Sequence, residues 1–321
     1  MLLVIASTDM TKRLATEDFE LDLEMGLGTD NDFELTTPER VYGMEAVFFP
    51  GTEYGGVVDE DEPVMGDGGE SVSYHGVTWT GILDQNVTRP PSGQSHLAVS
   101  GTAEECISAL LSSCGVGAPF SVSEGETGSV SYTVPRFATL YEAIVGALSS
   151  AGLALGMECA DGEVRLYAKA PATIDETQGV GFDAKRGYRP VNHLVVLGKG
   201  EMQEREVIDL YADDEGNVST TQSIFGLAHR SEVYELSSSE GDELRSGGEK
   251  KLREYQEQRD SVKITVPEGV DVSIGDTLSA TSPKYGIRAS ARVTGVVVEA
   301  SAGTVSVTPR TDGDIEVKDY E

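Results

Sequence analysis

The sequence predicts a mainly β, multi-domain protein with an α+β insertion: β-barrel units followed by a small C-terminal barrel. Three observations carry that expectation. Many of the 37 glycines separate short apolar runs, which is the punctuation of strands and tight turns. Residues 17–25 alternate: Phe19, Leu21, Leu23 and Met25 are apolar while Glu20, Asp22 and Glu24 are charged, the period of a strand with one wet face. Within residues 98–170 the apolar spacing becomes helical between the β segments. The chain has 321 residues, more than the roughly 250–300 over which one core usually grows. The pattern breaks divide it into 1–97, a first β-barrel part; 98–175, the insertion; 176–261, a second β portion with a charged helix; and 262–321, the small barrel and an acidic tail.

In chain order, Gly26-Leu27-Gly28 and Asp30-Asn31-Asp32 close the first strand, and further strands are expected near 33–37, 43–49, 56–60, 70–75 and 77–88. Pro90-Pro91-Ser92-Gly93 interrupts the pattern. Thr102 with Glu105, and later Thr139 with Glu142, form two capping-box signatures, in which hydroxyl and carboxylate satisfy the free amides of a first helical turn. The first opens a helix carrying Ala103, Cys106, Ile107, Leu110, Leu111 and Cys114 and stopped by Gly115 and Gly117; the second leads Leu140, Ile144, Ala147 and Leu148 to Gly152. A hairpin turns at Asp161-Gly162 into Glu163–Ala168. Strand character returns at Leu194–Leu197 and Arg205–Tyr211. A charged helix spans 239–260 with Leu244, Leu252 and Tyr255 on its apolar face. Gly247-Gly248 weakens its middle by about 1 kcal/mol per glycine, so a kink or close docking is expected there. The small barrel starts at Val262, Ile264 and Val266, turns at Gly275-Asp276 and pairs Arg292–Val298 with Thr304–Thr308 through Ala302-Gly303; residues 312–321 form an acidic, frayed tail.

Composition narrows the function. Acidic residues number 55 against 24 basic, a formal charge of −31. Such a chain has no general attraction for phosphate backbones or anionic membranes, so neither specific nucleic-acid binding nor a membrane anchor is expected. The N-terminus lacks the basic region and apolar length of a secretion signal, and no apolar run approaches 18 residues. Cys106, Cys114 and Cys159 are an odd set in a long chain, expected reduced and buried.

Catalytic signatures are missing. There is no P-loop, no GxSxG elbow and no HExxH. Lys199, between Gly198 and Gly200, reads as a turn. His75, His96, His193 and His229 stand apart in sequence without metal-ligand spacing. Asp30, Asn31, Asp32 and Glu34 are oxygen-rich but do not fit a calcium loop, and Asp59–Glu62 read as a solvated acidic run. The expectation is no catalytic, cofactor or metal residue. Trp79 reads as a strand's core anchor. Arg186, Arg189 and Arg205, conspicuous in an acidic chain, read as ion-pair partners, including between subunits.

Three stretches, Asn31-Asp32-Phe33-Glu34-Leu35, Gly51-Thr52-Glu53-Tyr54-Gly55-Gly56-Val57-Val58 and Tyr74-His75-Gly76-Val77-Thr78-Trp79-Thr80-Gly81-Ile82-Leu83, resemble siphophage tail-hub proteins from phages and prophages of Gram-positive bacteria. Pro90–Gly93, Val191–Gly200 and the charged helix followed by Val270–Leu278 continue the same order, so the resemblance covers nearly the whole chain. That family is similar to the central hub of the phage T4 baseplate. The resemblance implies a non-enzymatic virion protein forming a ring with copies of itself, trimeric, at the distal end of the tail tube and assembled in the host cytoplasm. It implies a distal tail protein, a tape-measure protein and receptor-binding or fibre proteins as partners, and no cofactor. Family members often carry further C-terminal domains; this chain is expected to lack one, and with it peptidoglycan cleavage. Two alternatives remain. A carbohydrate-binding adaptor using Trp79 or Tyr54 needs an exposed aromatic patch flanked by Asp or Asn; a glycoside hydrolase needs two convergent carboxylates in a cleft.

Overall fold

Alternation becomes sheet from the first residues of the computed structural model, which describes residues 2–66, 69–257, 260–267, 269–311 and 318–319. Strands β1 (Leu3–Ala6), β2 (Lys12–Thr16), β3 (Glu20–Gly26), β4 (Asp32–Thr36), β5 (Ala46–Phe48), β6 (Gly55–Gly66) and β7 (Gly69–Thr78) precede helix α1 (Trp79–Asp84). In β3, Leu21, Leu23 and Met25 are buried and Asp22 is exposed, as the alternation requires. The strand expected over 77–88 is instead the end of β7 followed by α1. Thr78 accounts for the difference: in an extended conformation, its hydroxyl accepts from Gly81 N and caps the helix. Trp79 is thus a core anchor on a helix's first turn, fully buried beside Phe120 at 6.3 Å between ring centres.

The insertion follows as β8 (Leu97–Thr102), α2 (Ala103–Cys114), β9 (Phe120–Val122), β10 (Ser129–Val134), α3 (Leu140–Ser150), β11 (Ala154–Ala160), β12 (Glu163–Lys169) and β13 (Thr173–Ile174). Both capping boxes form in full, and Gly115 ends α2 in the left-handed region. The helices bury Ile107, Leu110, Leu140 and Ile144 beside the pair β8–β10 and the three-stranded sheet β11-β12-β9. The Asp161-Gly162 turn has both residues at positive φ, 53° and 79°, the requirement of a tight two-residue hairpin. Cys106 and Cys159 are buried; Cys114, the last helical residue, is only half-buried, and all three thiols are free.

Next come β14 (Gly181–Arg186), β15 (His193–Leu197), β16 (Val207–Ala212), β17 (Val218–Ser219), β18 (Ser231–Glu235), α4 (Gly241–Glu257) and β19 (Asp260–Thr265). The chain packs as two units, residues 1–181 with 264–321 and residues 182–263. In the second, the sheet runs β17-β16-β15-β18. Its inner face buries Val191, Leu194, Val196, Leu210 and Ala212 against Leu244 and Leu252 of α4. The Gly247-Gly248 pair is the contact surface. A Cβ at Gly248 would lie 2.6 Å from Val196 Cγ2 and 2.8 Å from Leu210 Cδ1, and one at Gly247 would lie 2.6 Å from Leu236 Cδ1. The two glycines sit within one continuous helix and let it lie close on its sheet.

The last strands are β20 (Thr277–Ser282), β21 (Ile287–Ser301), β22 (Thr304–Thr311) and β23 (Lys318–Asp319). They join the N-terminal strands in one curled half-barrel sheet of twelve strands, ordered β13-β20-β21-β3-β4-β7-β6-β5-β1-β2, with β22 and β23 also paired to β21. β21 changes partners midway. Residues 287–292 pair with β20, residues 295–301 with β3, and the β22 register shifts between Val293 and Gly295. The buried phase resets there: Ala289, Ala291 and Val293 are buried before it, Val296, Val298 and Ala300 after. One extra residue does this, as in a bulge. Opposite sits Gly26, with φ of +135°, where a Cβ would lie 2.3 Å from Gly295 Cα. The acidic tail at 312–321 lies outside the described residues apart from 318–319.

Candidate functional site

Two surfaces and one buried cluster gather the chemistry-bearing side chains. In the first unit, Arg13 on β2 holds the buried Glu45 by two bonds, Nε to Oε1 at 2.6 Å and Nη2 to Oε2 at 2.8 Å, and also donates to Arg40 O. Glu45 Oε2 accepts from Tyr42 N at 2.9 Å. The guanidinium carbons of Arg13 and Arg40 lie 5.3 and 5.0 Å from the Tyr42 ring centre, within cation–π range. Tyr42, half exposed, edges an open groove of about 1240 Å³ that also takes in Asp18, Glu20, Asp61 and Tyr74. Aromatic surface, both guanidiniums and several acids meet here on loops held from below by Glu45.

The second surface is the outer face of the four-stranded sheet. Its register forms three rows: Tyr211–His193–Ser231, Asp209–Val195–Val233 and Val207–Leu197–Glu235. The first row is polar and tightly connected. His193 Nδ1 lies 2.8 Å from Ser231 Oγ, and His193 Nε2 lies 2.7 Å from Asp209 Oδ1. Its ring stacks on Tyr211 at 4.4 Å and on His229 at 5.4 Å, and His229 Nε2 is 3.3 Å from Ser231 Oγ. The other rows expose Val207 and Val233. Sequence reasoning left His193 and His229 apart; β-pairing between residues 38 positions distant, His193 and Ser231, brings them to one place.

The buried cluster surrounds Glu53, in the loop between β5 and β6. Burial pushes its carboxyl above the ordinary range; Lys169 opposes this, and Asp276 and Asp271 reinforce it. Asp276 itself is held by two amides, Ala172 N and Ser273 N, each at 2.9 Å. Nearby, the Cys159 thiol is pushed up to about 12, chiefly by burial, with the Trp79 indole N–H acting in the opposite direction.

The remaining singled-out residues serve structure. Asn31, buried at φ 57°, is a bolt: its side-chain oxygen accepts from Gly26 N at 2.9 Å and Thr80 Oγ1 at 2.6 Å, while its amide donates to Gly26 O at 3.0 Å. Asp32 and Glu34 point outward on β4, and Asp59–Glu62 are exposed on β6. Lys199 sits in a turn, 3.2 Å from Glu240. Arg205 bonds Glu235 at 2.5 Å and Gly198 O at 3.1 Å, and Arg189 donates to His229 O at 3.4 Å, so both have partners within the chain; the Arg186 side chain lies outside the described residues. His75 approaches Glu62 at 3.9 Å, and His96 bonds Ser95. Among the described residues, no three His, Cys, Asp or Glu side chains gather as metal ligands, and no helix is long and apolar enough to cross a membrane. Trp79 is fully buried and Tyr54 half-buried, so neither is an exposed stacking platform.

No protein-family profile matches the chain, and no curated protein does. Among solved structures, it is similar to the tail protein from Neisseria meningitidis MC58, with 15% identity, 97% of each chain covered and a TM-score of 0.45. It is similar to the prophage tail protein gp18 from Listeria monocytogenes EGD-e, with 13% identity, 98% of this chain and 95% of that one covered, and a TM-score of 0.48. The 43 kDa tail protein of prophage MuSo2 from Shewanella oneidensis is 13% identical, with 97% and 98% covered and a TM-score of 0.46.

Proposed function

We propose that the chain is a structural subunit of a phage or prophage tail tip, a hub-type protein that works as part of a ring and does no catalysis. The observation that carries this reading is where its hub-like segments fall. Asn31–Leu35, Gly51–Val58 and Tyr74–Leu83 are separated in sequence, yet they contribute to the adjacent strands β4, β7 and β6 and to the helix behind them. Their residues hold one another: Asn31 O accepts from Thr78 N and Thr78 Oγ1, each at 2.9 Å, and Asn31 Oδ1 accepts from Thr80. The resemblance therefore follows one interlocked frame. Asn192, in the Val191–Gly200 segment, plays the same part, with Nδ2 donating to Ala228 O and Oδ1 accepting from Arg230 N.

In this reading, residues 1–97 and 176–261 supply two ring-forming portions, 98–175 the insertion and 262–321 the closing strands. Three copies form a pseudo-sixfold ring at the end of the tail tube, contacting a distal tail protein, a tape-measure protein and receptor-binding or fibre proteins. Assembly takes place in the host cytoplasm and the protein ends in the virion. The net charge of −31 suits a bore through which DNA slides without phosphate contacts. Native mass spectrometry with negative-stain imaging is the test. Closed trimeric rings, alone or on the distal tail protein, are expected; a monomer under both conditions, or a ring with a basic bore, counts against it. The Tyr42 groove, with Asp18 and Asp61 beside an exposed ring, supports a second reading as a carbohydrate-binding tail-tip adaptor; loss of glycan-array binding in Tyr42→Ala is the result that reading requires.

A further inference from the structure

We infer that Ser231 is a base-activated hydroxyl, a covalent acceptor site for activated acyl groups on the outer face of the second unit's sheet. The argument is independent of the hub reading and begins with proton accounting. An ionised carboxylate only accepts hydrogen bonds. Asp209 Oδ1, 2.7 Å from His193 Nε2, therefore requires the proton of the neutral imidazole to sit on Nε2. His193 Nδ1 is left with its lone pair, 2.8 Å from Ser231 Oγ. With the imidazole neutral, the serine donates its single proton to Nδ1. Its oxygen is then left to accept from the Nε2–H tautomer of His229, whose Nε2 lies 3.3 Å away. Acid, imidazole and hydroxyl are thus ordered as an orienting group, a base and a nucleophile, with the two imidazole nitrogens exchanged relative to the commonest arrangement.

The support is rigid. The three residues stand on the paired strands β16, β15 and β18, and the His193 ring lies between Tyr211 and His229. His193 is only 14% exposed, while Ser231 faces solvent, so the base is held and the nucleophile reachable. The same two histidines make a poor cation site. Their rings are within 22° of parallel, which sets the in-plane lone pairs side by side instead of around one point.

With an activated ester such as p-nitrophenyl acetate, Ser231 Oγ attacks the carbonyl carbon as its proton passes to His193 Nδ1. The carbonyl electron pair moves to oxygen and returns as the bond to the nitrophenolate breaks. Nitrophenolate leaves with the electron pair of the broken carbon–oxygen bond, the imidazolium releases its proton to water, and Ser231 remains as an acetyl ester.

The test treats the full chain with p-nitrophenyl acetate, follows nitrophenolate release and maps acetyl groups by peptide mass spectrometry. Acetyl on Ser231 is expected within the first minutes, before surface lysines such as Lys199 are modified. Ser231→Ala should abolish it. A positioned base contributes roughly 10²–10⁴-fold, so His193→Gln should slow it at least about 10-fold and Asp209→Asn, which releases the tautomer, by a similar or smaller factor. Should His193→Gln fail to fold, Asp209→Asn and Ser231→Ala decide alone. Acetylation of lysines or histidines while Ser231 stays free overturns the inference, and so does Ser231 modification at the wild-type rate in Asp209→Asn.

Discussion

The two units hold themselves together differently. The first has large side chains at the centre of its core, with Trp79, Tyr141 and Phe49 all under 2% exposed, and helices α2 and α3 carry complete capping boxes. Among the described residues, the second has a small aliphatic core in which Leu244 and Leu252 of α4 meet Val191, Leu194, Val196, Leu210 and Ala212. Tyr188, Met202, Val207, Phe225, Leu227 and Val233 are large apolar side chains it leaves exposed. Cohesion in the first rests on bulk. In the second it rests on proximity, because glycines bring α4 within reach of Val196 and Leu210. A region with so little buried bulk depends more on each contact.

The comparison predicts separable responses in scanning calorimetry. Trp79→Ala should have the largest effect, about 3–5 kcal/mol, confined to the transition of the first unit; equal shifts in both transitions would show that the units unfold as one. Gly248→Val should destabilise the second unit by about 1–3 kcal/mol through overpacking, with the first unit unchanged. A null result would mean that α4 can move away from its sheet without cost. Thr139→Ala should cost the first unit about 1 kcal/mol. It removes a cap and also the 2.7 Å bond from Thr139 Oγ1 to Asp84 at the end of α1.

The smallest effect depends on pH. Burial raises the Glu53 carboxyl above its unfolded value, so the folded state retains that proton more strongly. Stability from this group is present below the unfolded pKa and is lost as pH rises through the folded one. Glu53→Gln should therefore raise the first unit's Tm at pH 7 by about 2–4 °C, the shift produced by roughly one kcal/mol, with little change at pH 4. A gain equal at both pH values would assign the effect to packing.

Local patterns were legible in the sequence. The alternation of β3, both capping boxes, the Asp161-Gly162 turn and the charged helix needed only neighbours within a few residues. Helix α1 was hidden because Tyr74–Gly81 alternates as a strand would, and a single cap at Thr78 decides otherwise. Long-range pairing was hidden as well. Nothing near Glu20 announces that β3 will pair with residues 295–301, and nothing near His193 announces Ser231, because register between distant strands is set by the whole sheet. The role of Asn31 as a bolt was hidden for the same reason: its partner Thr80 lies 49 positions away.

The partnership of β3 with β21 has a consequence for synthesis. Residues 20–26 emerge early from the ribosome, whereas their neighbours at 295–301 follow only after the whole second unit has been translated. Until then one side of β3 keeps its backbone amides and carbonyls unsatisfied by β21, an open edge of the kind that pairs with other chains. Nascent or prematurely terminated chains carry that edge, and closing it requires joining segments more than 260 positions apart, a connection that slows folding.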